Sequence, residues 1–125
     1  MQKSKDSFGQ LLRSLRNEAG VGLRELARLI GKSPGYISDV ELDNVPPPSE
    51  ETIVNISNAL SVDKKVLLSK ARKVDPELSE YVADQPQAAD FLRMAKDQKF
   101  SDDDWDRLTQ LAKLSKLGKV EDKEN

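Results

Sequence analysis

Residues 23–41 combine polar side chains that could recognise nucleic acid with the apolar spacing of two short helices. Four apolar residues recur at helical intervals and predict a shared inner face: Leu26, Ile30, Ile37 and Val40. Gly31 separates the two segments and supplies the permissive backbone of a tight turn. The second helix of such a helix-turn-helix unit can enter the major groove of DNA. The pattern therefore predicts a recognition helix over about 34–42.

A second group of polar residues could in principle hold a cation: Asp102, Asp103, Asp104 and Asp106. Consecutive carboxylates on a helix point in different directions, and acidic residues at a helix N-terminus are favoured by the helix dipole. We interpret this run as a solvated helix start. The chain contains neither histidine nor cysteine, which excludes Ser-His-Asp and Cys-His catalysis, disulfides and zinc–thiolate sites. Without a glycine-rich phosphate loop, we expect no enzyme, no metal and no cofactor.

Helical periodicity runs through the whole chain, so the predicted fold class is all-α. Ser33, Ser49 and Asp63 each precede an apolar-periodic segment, as N-cap residues do. Three prolines at 46–48 form a stiff loop, because proline fixes its own backbone and cannot continue a helix. Five short helices are expected to form a helix-turn-helix DNA-binding domain over residues 1–73.

The charge distribution agrees with this organisation. The net charge of the chain is −2, but residues 1–73 carry 12 Lys/Arg and 9 Asp/Glu, whereas residues 74–125 carry 8 and 13. The positive excess coincides with the helix-turn-helix, as contact with phosphates requires. The alternative is a chance asymmetry in an ordinary helical protein.

Residues 74–120 predict a helical C-terminal region, and residues 121–125 a frayed, charged tail. The region has few large apolar side chains, so alone it would bury too little surface to offset its chain entropy. It must pack on the first domain or on a second copy. A homodimer is favoured because two-fold dimers are how such DNA-binding units gain affinity. The candidate interface residues are Phe91, Leu92, Trp105, Leu108 and Leu111.

Residues 20–60 resemble the XRE-type (lambda/Cro-like repressor) helix-turn-helix family. The resemblance is carried by an ordered series of motifs: Leu15-Arg16, Gly20, 23–27, Gly31, 33–38, Glu41, 47–51 and 59–60. It implies a five-helix, lambda-repressor-like domain that binds a double-stranded DNA operator as a dimer, most often as a repressor.

The resemblance also implies roles for individual residues. The base-reading candidates are Pro34, Gly35, Ser38 and Asp39. The phosphate-contact candidates are Arg24, Arg28, Lys32, Ser33 and Tyr36. Arg16 and Glu41 occupy positions that often form an internal ion pair in this family. We assign that pair to structure, because an unpaired carboxylate facing DNA would be repelled.

The predicted reading surface departs from the family in having no Arg, Asn or Gln at its centre. Bidentate base contacts, each worth about 1–3 kcal/mol of discrimination, are therefore scarce. Ser38 can bond to several bases, whereas Asp39 can either accept from a cytosine amino group or repel phosphate. The loop at 43–45 lacks the glycine and basic residues common in the family. We expect modest specificity, supplemented by DNA shape and dimer spacing.

The alternative function is that of an antitoxin or adaptor whose C-terminal helices bind a regulatory protein partner, with DNA binding secondary or absent. The acidic C-terminal half motivates this hypothesis. No apolar run is long enough for a membrane helix, and residues 1–6 lack the apolar core of a signal peptide. We therefore expect no membrane partner and a cytoplasmic location, which the absence of cysteine suits.

Overall fold

A computed structural model describes the backbone of residues 7–124 and the side chains of residues 7–116. Every regular element in this part of the chain is an α-helix, which confirms the predicted all-α class. The helices are α1 (Phe8–Glu18), α2 (Leu23–Ile30), α3 (Pro34–Glu41), α4 (Glu50–Leu60), α5 (Lys64–Lys70), α6 (Pro76–Asp84), α7 (Pro86–Asp97) and α8 (Asp102–Glu124). Within the described residues, no helix is both long and apolar enough to cross a membrane.

Short polar side chains start several of these helices. The Ser33 hydroxyl oxygen accepts a hydrogen bond from the backbone N–H of Tyr36 at 3.1 Å. Ser49 and Asp63 cap α4 and α5 in the same manner. The three predicted N-caps are therefore confirmed, and each such cap typically stabilises its helix by about 1 kcal/mol.

The turn between α2 and α3 depends on Gly31, whose φ of 72° lies in the left-handed region. The backbone N–H of Lys32 then donates to the Ala27 carbonyl at 2.9 Å and closes the turn. Leu26 and Ile37 are fully buried on either side of it. The predicted glycine turn and the shared inner face of the two helices are thus present.

One hydrophobic cluster contains residues from each of the first five helices, α1 through α5. Its buried members are Phe8, Leu12, Leu26, Ala27, Ile37, Val40, Ile53, Ile56, Leu60, Leu67 and Leu68. Ile30, predicted as a full member, is only partly buried and packs against the edge of the cluster. Because α3 contributes Ile37 and Val40 to this core, its opposite surface is left free.

The chain divides into two compact units, Met1–Tyr81 and Val82–Asn125. The boundary predicted from the sequence precedes α6, whereas the structural division falls inside it. The start of α6 is tied to the first unit by Lys64, whose ammonium lies 2.5 Å from Asp75 and 3.5 Å from Glu77. The hydrogen bond from Lys64 also holds the pKa of Asp75 below its ordinary value.

In the second unit, α7 and α8 meet through three aromatic rings. Phe91 lies edge-on to Trp105, with ring centroids 6.1 Å apart, and Phe100 lies 5.2 Å from Trp105. Ser101 accepts from the backbone N–H of Asp104 at 3.1 Å, and the Asp104 carboxylate accepts from the backbone N–H of Ser101 at 2.9 Å. This reciprocal cap confirms the predicted helix start.

Helix α8 continues through Glu124. Residues 121–124, for which the sequence predicted a frayed, charged tail, have helical backbone in α8, and residue 125 lies outside the described residues. The sequence after Asp102 contains no proline, and it carries four lysines and two glutamates, which are good helix formers. High helix propensity therefore accounts for the helical backbone of residues 121–124, for which charge alone had suggested a frayed tail.

Candidate nucleic-acid interface

The position of α3 is fixed first by a close contact with the start of α1. The backbone N–H of Gly9 donates to the Asp43 carboxylate at 3.0 Å. A Cβ atom at residue 9 would lie 2.5 Å from the carbonyl oxygen of Glu41 and still closer to that of Val40. Only a glycine allows α1 to approach the C-terminal end of α3 this closely. Local sequence patterns do not predict this contact, because its partners are 34 residues apart.

A buried ion pair fixes α3 a second time. Arg16 Nε lies 2.6 Å from Glu41 Oε2, and a second guanidinium nitrogen donates to Glu41 Oε1 at 3.0 Å. The remaining nitrogen donates to the Val21 carbonyl at 3.1 Å. The hydrogen bond to Glu41 raises the pKa of Arg16 above its ordinary value. The predicted structural pair is therefore present, and it joins α1, the segment before α2, and α3.

Glu41 is turned inward by this arrangement. Its side chain is only 5% exposed, and both carboxylate oxygens accept hydrogen bonds from Arg16. The carboxylate is therefore not available to read a base or to repel a phosphate. The outer surface of α3 is formed by the residues that precede Glu41.

The predicted base-reading residues lie on the free surface of α3. Pro34, Gly35 and Asp39 are exposed, and Ser38 is half-buried. No heavy atom of another part of the fold lies within 4 Å of the position that a Cβ atom at residue 35 would occupy. A base edge or another backbone could therefore approach α3 closely at Gly35. Asp39 makes one long contact, 3.4 Å from the side-chain amide of Asn44.

Ser38 opens into a cleft of about 260 Å³ between α1, α2 and α3. Its lining residues are Arg13, Arg16, Leu23, Ser38, Glu41 and Leu42. Because the Arg16 guanidinium is engaged by Glu41, the exposed Arg13 is the arginine that can reach outward from this cleft. Arg13 is not among the predicted contacts, although it lies one helical turn before Arg16 and therefore on the same side of α1.

Three predicted phosphate contacts lie on α2 and in the turn that follows it. Arg24 and Arg28 are four residues apart and share one side of α2, and Lys32 follows the Gly31 turn that leads into α3. All three are exposed, and no ion pair engages them among the described side chains. Their charges remain available to a polyanion.

The other two phosphate candidates, Ser33 and Tyr36, stand at the start of α3. The Ser33 oxygen accepts the Tyr36 N–H, which leaves the hydroxyl hydrogen free to donate. The Tyr36 ring is half-buried and lies 5.8 Å from the ammonium of Lys32. That distance permits a cation–π contact, which would hold the Lys32 charge next to the first turn of α3.

The arrangement of α2, the Gly31 turn and α3 within a five-helix unit is that of a helix-turn-helix DNA-binding domain. A family model described as a helix-turn-helix domain matches residues 7–68, which include all of these elements. The chain belongs to the helix-turn-helix family of transcriptional regulators, and the XRE-type resemblance is confirmed.

The curated relatives include an uncharacterised HTH-type transcriptional regulator of Mycobacterium tuberculosis, found in two strains and 36% identical over 76 residues. The match covers 61% of this chain and 54% of the relative, so the chain spans about half the length of the curated relatives it matches.

Two solved structures are also similar. The clp gene regulator ClgR of Corynebacterium glutamicum is 30% identical, with 74% of this chain and 89% of that chain covered and a TM-score of 0.48. A SinR protein/SinI protein complex supplies a chain with 29% identity, coverages of 75% and 99%, and a TM-score of 0.46.

Proposed function

We propose that the chain is a sequence-specific, double-stranded-DNA-binding transcriptional regulator that acts as a dimeric repressor with α3 in the major groove. One observation carries the proposal: the outer surface of α3 is exposed, and α2 and the turn that leads into α3 carry three exposed basic residues without ion-pair partners among the described side chains, Arg24, Arg28 and Lys32. Family membership favours DNA binding over catalysis. Such a protein acts in the compartment that holds the DNA, for which we propose the cytoplasm.

The dimensions of the DNA grooves determine which residues would contact bases and which would contact phosphates. The major groove of B-DNA admits an α-helix, and its base edges carry a distinct pattern for each base pair. In the proposed complex, the three basic residues and Arg13 contact phosphates, while a second set approaches the bases: Pro34, Gly35, Ser38 and Asp39. Phosphate contacts set the register, and the small α3 side chains supply modest discrimination.

The decisive experiment is equilibrium binding of the full chain to the DNA upstream of its own gene and to a scrambled duplex, at physiological and raised salt. We expect a preference of about a thousandfold or more, the range of specific regulators. Equal, weak binding to both duplexes that disappears with salt would contradict the proposal. That result would instead favour the alternative function, in which the C-terminal helices bind a regulatory protein partner.

Arg24→Ala is expected to weaken binding to the upstream and scrambled duplexes by the same factor. Loss of one phosphate contact should reduce the slope of log affinity against log salt by about 1. Because Arg24 is exposed and unpaired, thermal stability should change little. Arg93→Ala, an exposed arginine of the second unit, is the matched control. An unchanged slope in Arg24→Ala would remove Arg24 from the interface.

Asp39→Asn is expected to strengthen binding to every duplex tested, by about fivefold. The substitution removes a carboxylate whose interaction with a phosphate a few ångströms away costs about 1 kcal/mol in a highly hydrated site. Fluorescence anisotropy with a set of single-base operator variants measures both affinity and preference. A changed preference at one base pair, without a general gain, would instead assign Asp39 to cytosine recognition.

A further inference from the structure

Leu42, which directly follows α3, is a large apolar side chain on the surface proposed to face DNA. It is 58% exposed, and it lines the cleft between α1, α2 and α3 together with Ser38 and Arg13. Leu42 lies four residues after Ser38 and seven after Gly35, so these three residues follow one another along one side of α3. The side that carries two candidate base-reading residues therefore ends in an exposed leucine.

The turn that ends α3 fixes the backbone of Leu42. Its N–H donates to the Ser38 carbonyl at 3.0 Å, which continues the helical turn by one residue. Asp43 then has a left-handed φ of 60°, and the N–H of Asn44 donates to the Asp39 carbonyl at 2.9 Å. The carboxylate of Asp43 also accepts a backbone N–H from the start of α1. Leu42 is thus presented from an ordered backbone, which reduces the entropy lost when its side chain makes a contact.

The aliphatic side chain of Leu42 limits what this part of the surface can recognise. It offers no hydrogen bond to a phosphate, and it would desolvate the polar edge of a base without replacing the lost hydrogen bonds. Thymine is the one base of the four that presents a methyl group in the major groove. The methyl group is attached at C5, on the side of the groove nearest the backbone of its own strand. A leucine in the same cleft as the exposed Arg13 approaches that side of the groove when the arginine contacts a phosphate.

We propose that Leu42 is a specificity-determining residue that contacts the C5 methyl group of a thymine in the operator. The inference rests on the proposed function and names one base that the same surface reads. Because an α-helix rises by about 1.5 Å per residue, Leu42 lies about 6 Å beyond Ser38 along α3. That distance corresponds to roughly two base-pair steps, so the thymine lies about two base pairs from the one that Ser38 approaches. The contact adds apolar discrimination to a surface that has few partners for bidentate hydrogen bonds.

Replacement of thymine by deoxyuridine removes only the methyl group and therefore tests this contact. Fluorescence anisotropy measures binding of the full chain to the duplex upstream of its own gene and to a set of duplexes in which one thymine at a time is replaced. For the wild type, at least one replacement should weaken binding by about fourfold, the effect of one methyl-sized apolar group. For Leu42→Ala, the same replacement should leave the affinity nearly unchanged, because the alanine side chain is too short to reach the methyl group.

Leu29→Ala is the matched control, because Leu29 is 46% exposed and lines a different cavity, between α2 and α4. This variant should respond to deoxyuridine as the wild type does, and circular dichroism checks that both variants are folded. The proposal is overturned if the wild type binds every deoxyuridine duplex as tightly as the thymine duplex, or if Leu42→Ala loses the same factor at the same position. In both cases the wild type still prefers the upstream duplex to a scrambled one. Absence of that preference would instead contradict the proposed function, and this inference with it.

Discussion

Glu41→Ala is expected to lower the free energy of unfolding of the first unit by about 3–5 kcal/mol, the cost of leaving one member of a buried ion pair unpaired. The Arg16 side chain is 11% exposed and would lose both hydrogen bonds to the carboxylate. Since domains are commonly stable by only about 5–15 kcal/mol, the variant should be close to unfolding. The transition temperature should fall by on the order of 15 °C or more, as measured by circular dichroism at α-helical wavelengths.

The matched control removes both charges at once. Arg16→Met combined with Glu41→Leu replaces the pair by apolar side chains of similar size, and such replacements are often neutral or stabilising. The double variant should therefore recover much of the stability lost in Glu41→Ala. If Glu41→Ala melts within a few degrees of the wild type, the pair does not hold α3 in the way that its geometry implies.

Gly9→Ala is expected to lower the free energy of unfolding by about 1–3 kcal/mol, the usual cost of forcing an extra methyl group into a packed site. The new methyl group would collide with the carbonyl oxygens of Val40 and Glu41. Those atoms belong to the backbone of α3, so they cannot move aside without moving the helix. The shift should also weaken operator binding, because α3 carries the candidate base-reading residues.

Gly35→Ala separates steric collision from the ordinary effect of glycine in a helix. Gly35 is also helical, but the space around it is open. Alanine there should stabilise the fold by about 0.5–1 kcal/mol through its better helix propensity. Chemical denaturation of both variants measures the contrast. A Gly9→Ala variant as stable as Gly35→Ala would contradict the close packing of α1 on α3.

Local features of the fold were predictable because the physics behind them is local. The caps at Ser33 and Ser49 and the left-handed turn at Gly31 each depend on a few neighbouring residues. The buried faces at Leu26 and Ile37 follow from helical periodicity. These features suffice to identify the helix-turn-helix.

What could not be predicted depends on contacts between distant segments. Gly9 looks ordinary in the sequence, because its helical backbone needs no glycine; only the proximity of Val40 and Asp43 requires one. Phe100 was missed because it lies between two helices, where periodicity carries no signal. The Arg16–Glu41 pair, 25 residues apart, was reached through family resemblance and not through spacing.

The predicted interface residues of the C-terminal region have differing environments. Phe91 and Trp105 contact each other within the second unit, whereas Leu92 and Leu111 are exposed. The helix pair of α7 and α8 is short and mostly exposed. The sequence pattern therefore says little about which apolar side chains pack between the two helices and which contact a partner. The dimer and its interface residues therefore stay a prediction.

The aromatic contact on α8 has a practical spectroscopic consequence. Trp105 is the sole tryptophan of the chain, and both tyrosines, Tyr36 and Tyr81, lie in the first unit. Tryptophan emission is therefore a local probe of the contact between α7 and α8. Loosening of that contact can be followed on an unlabelled sample, without an engineered fluorophore.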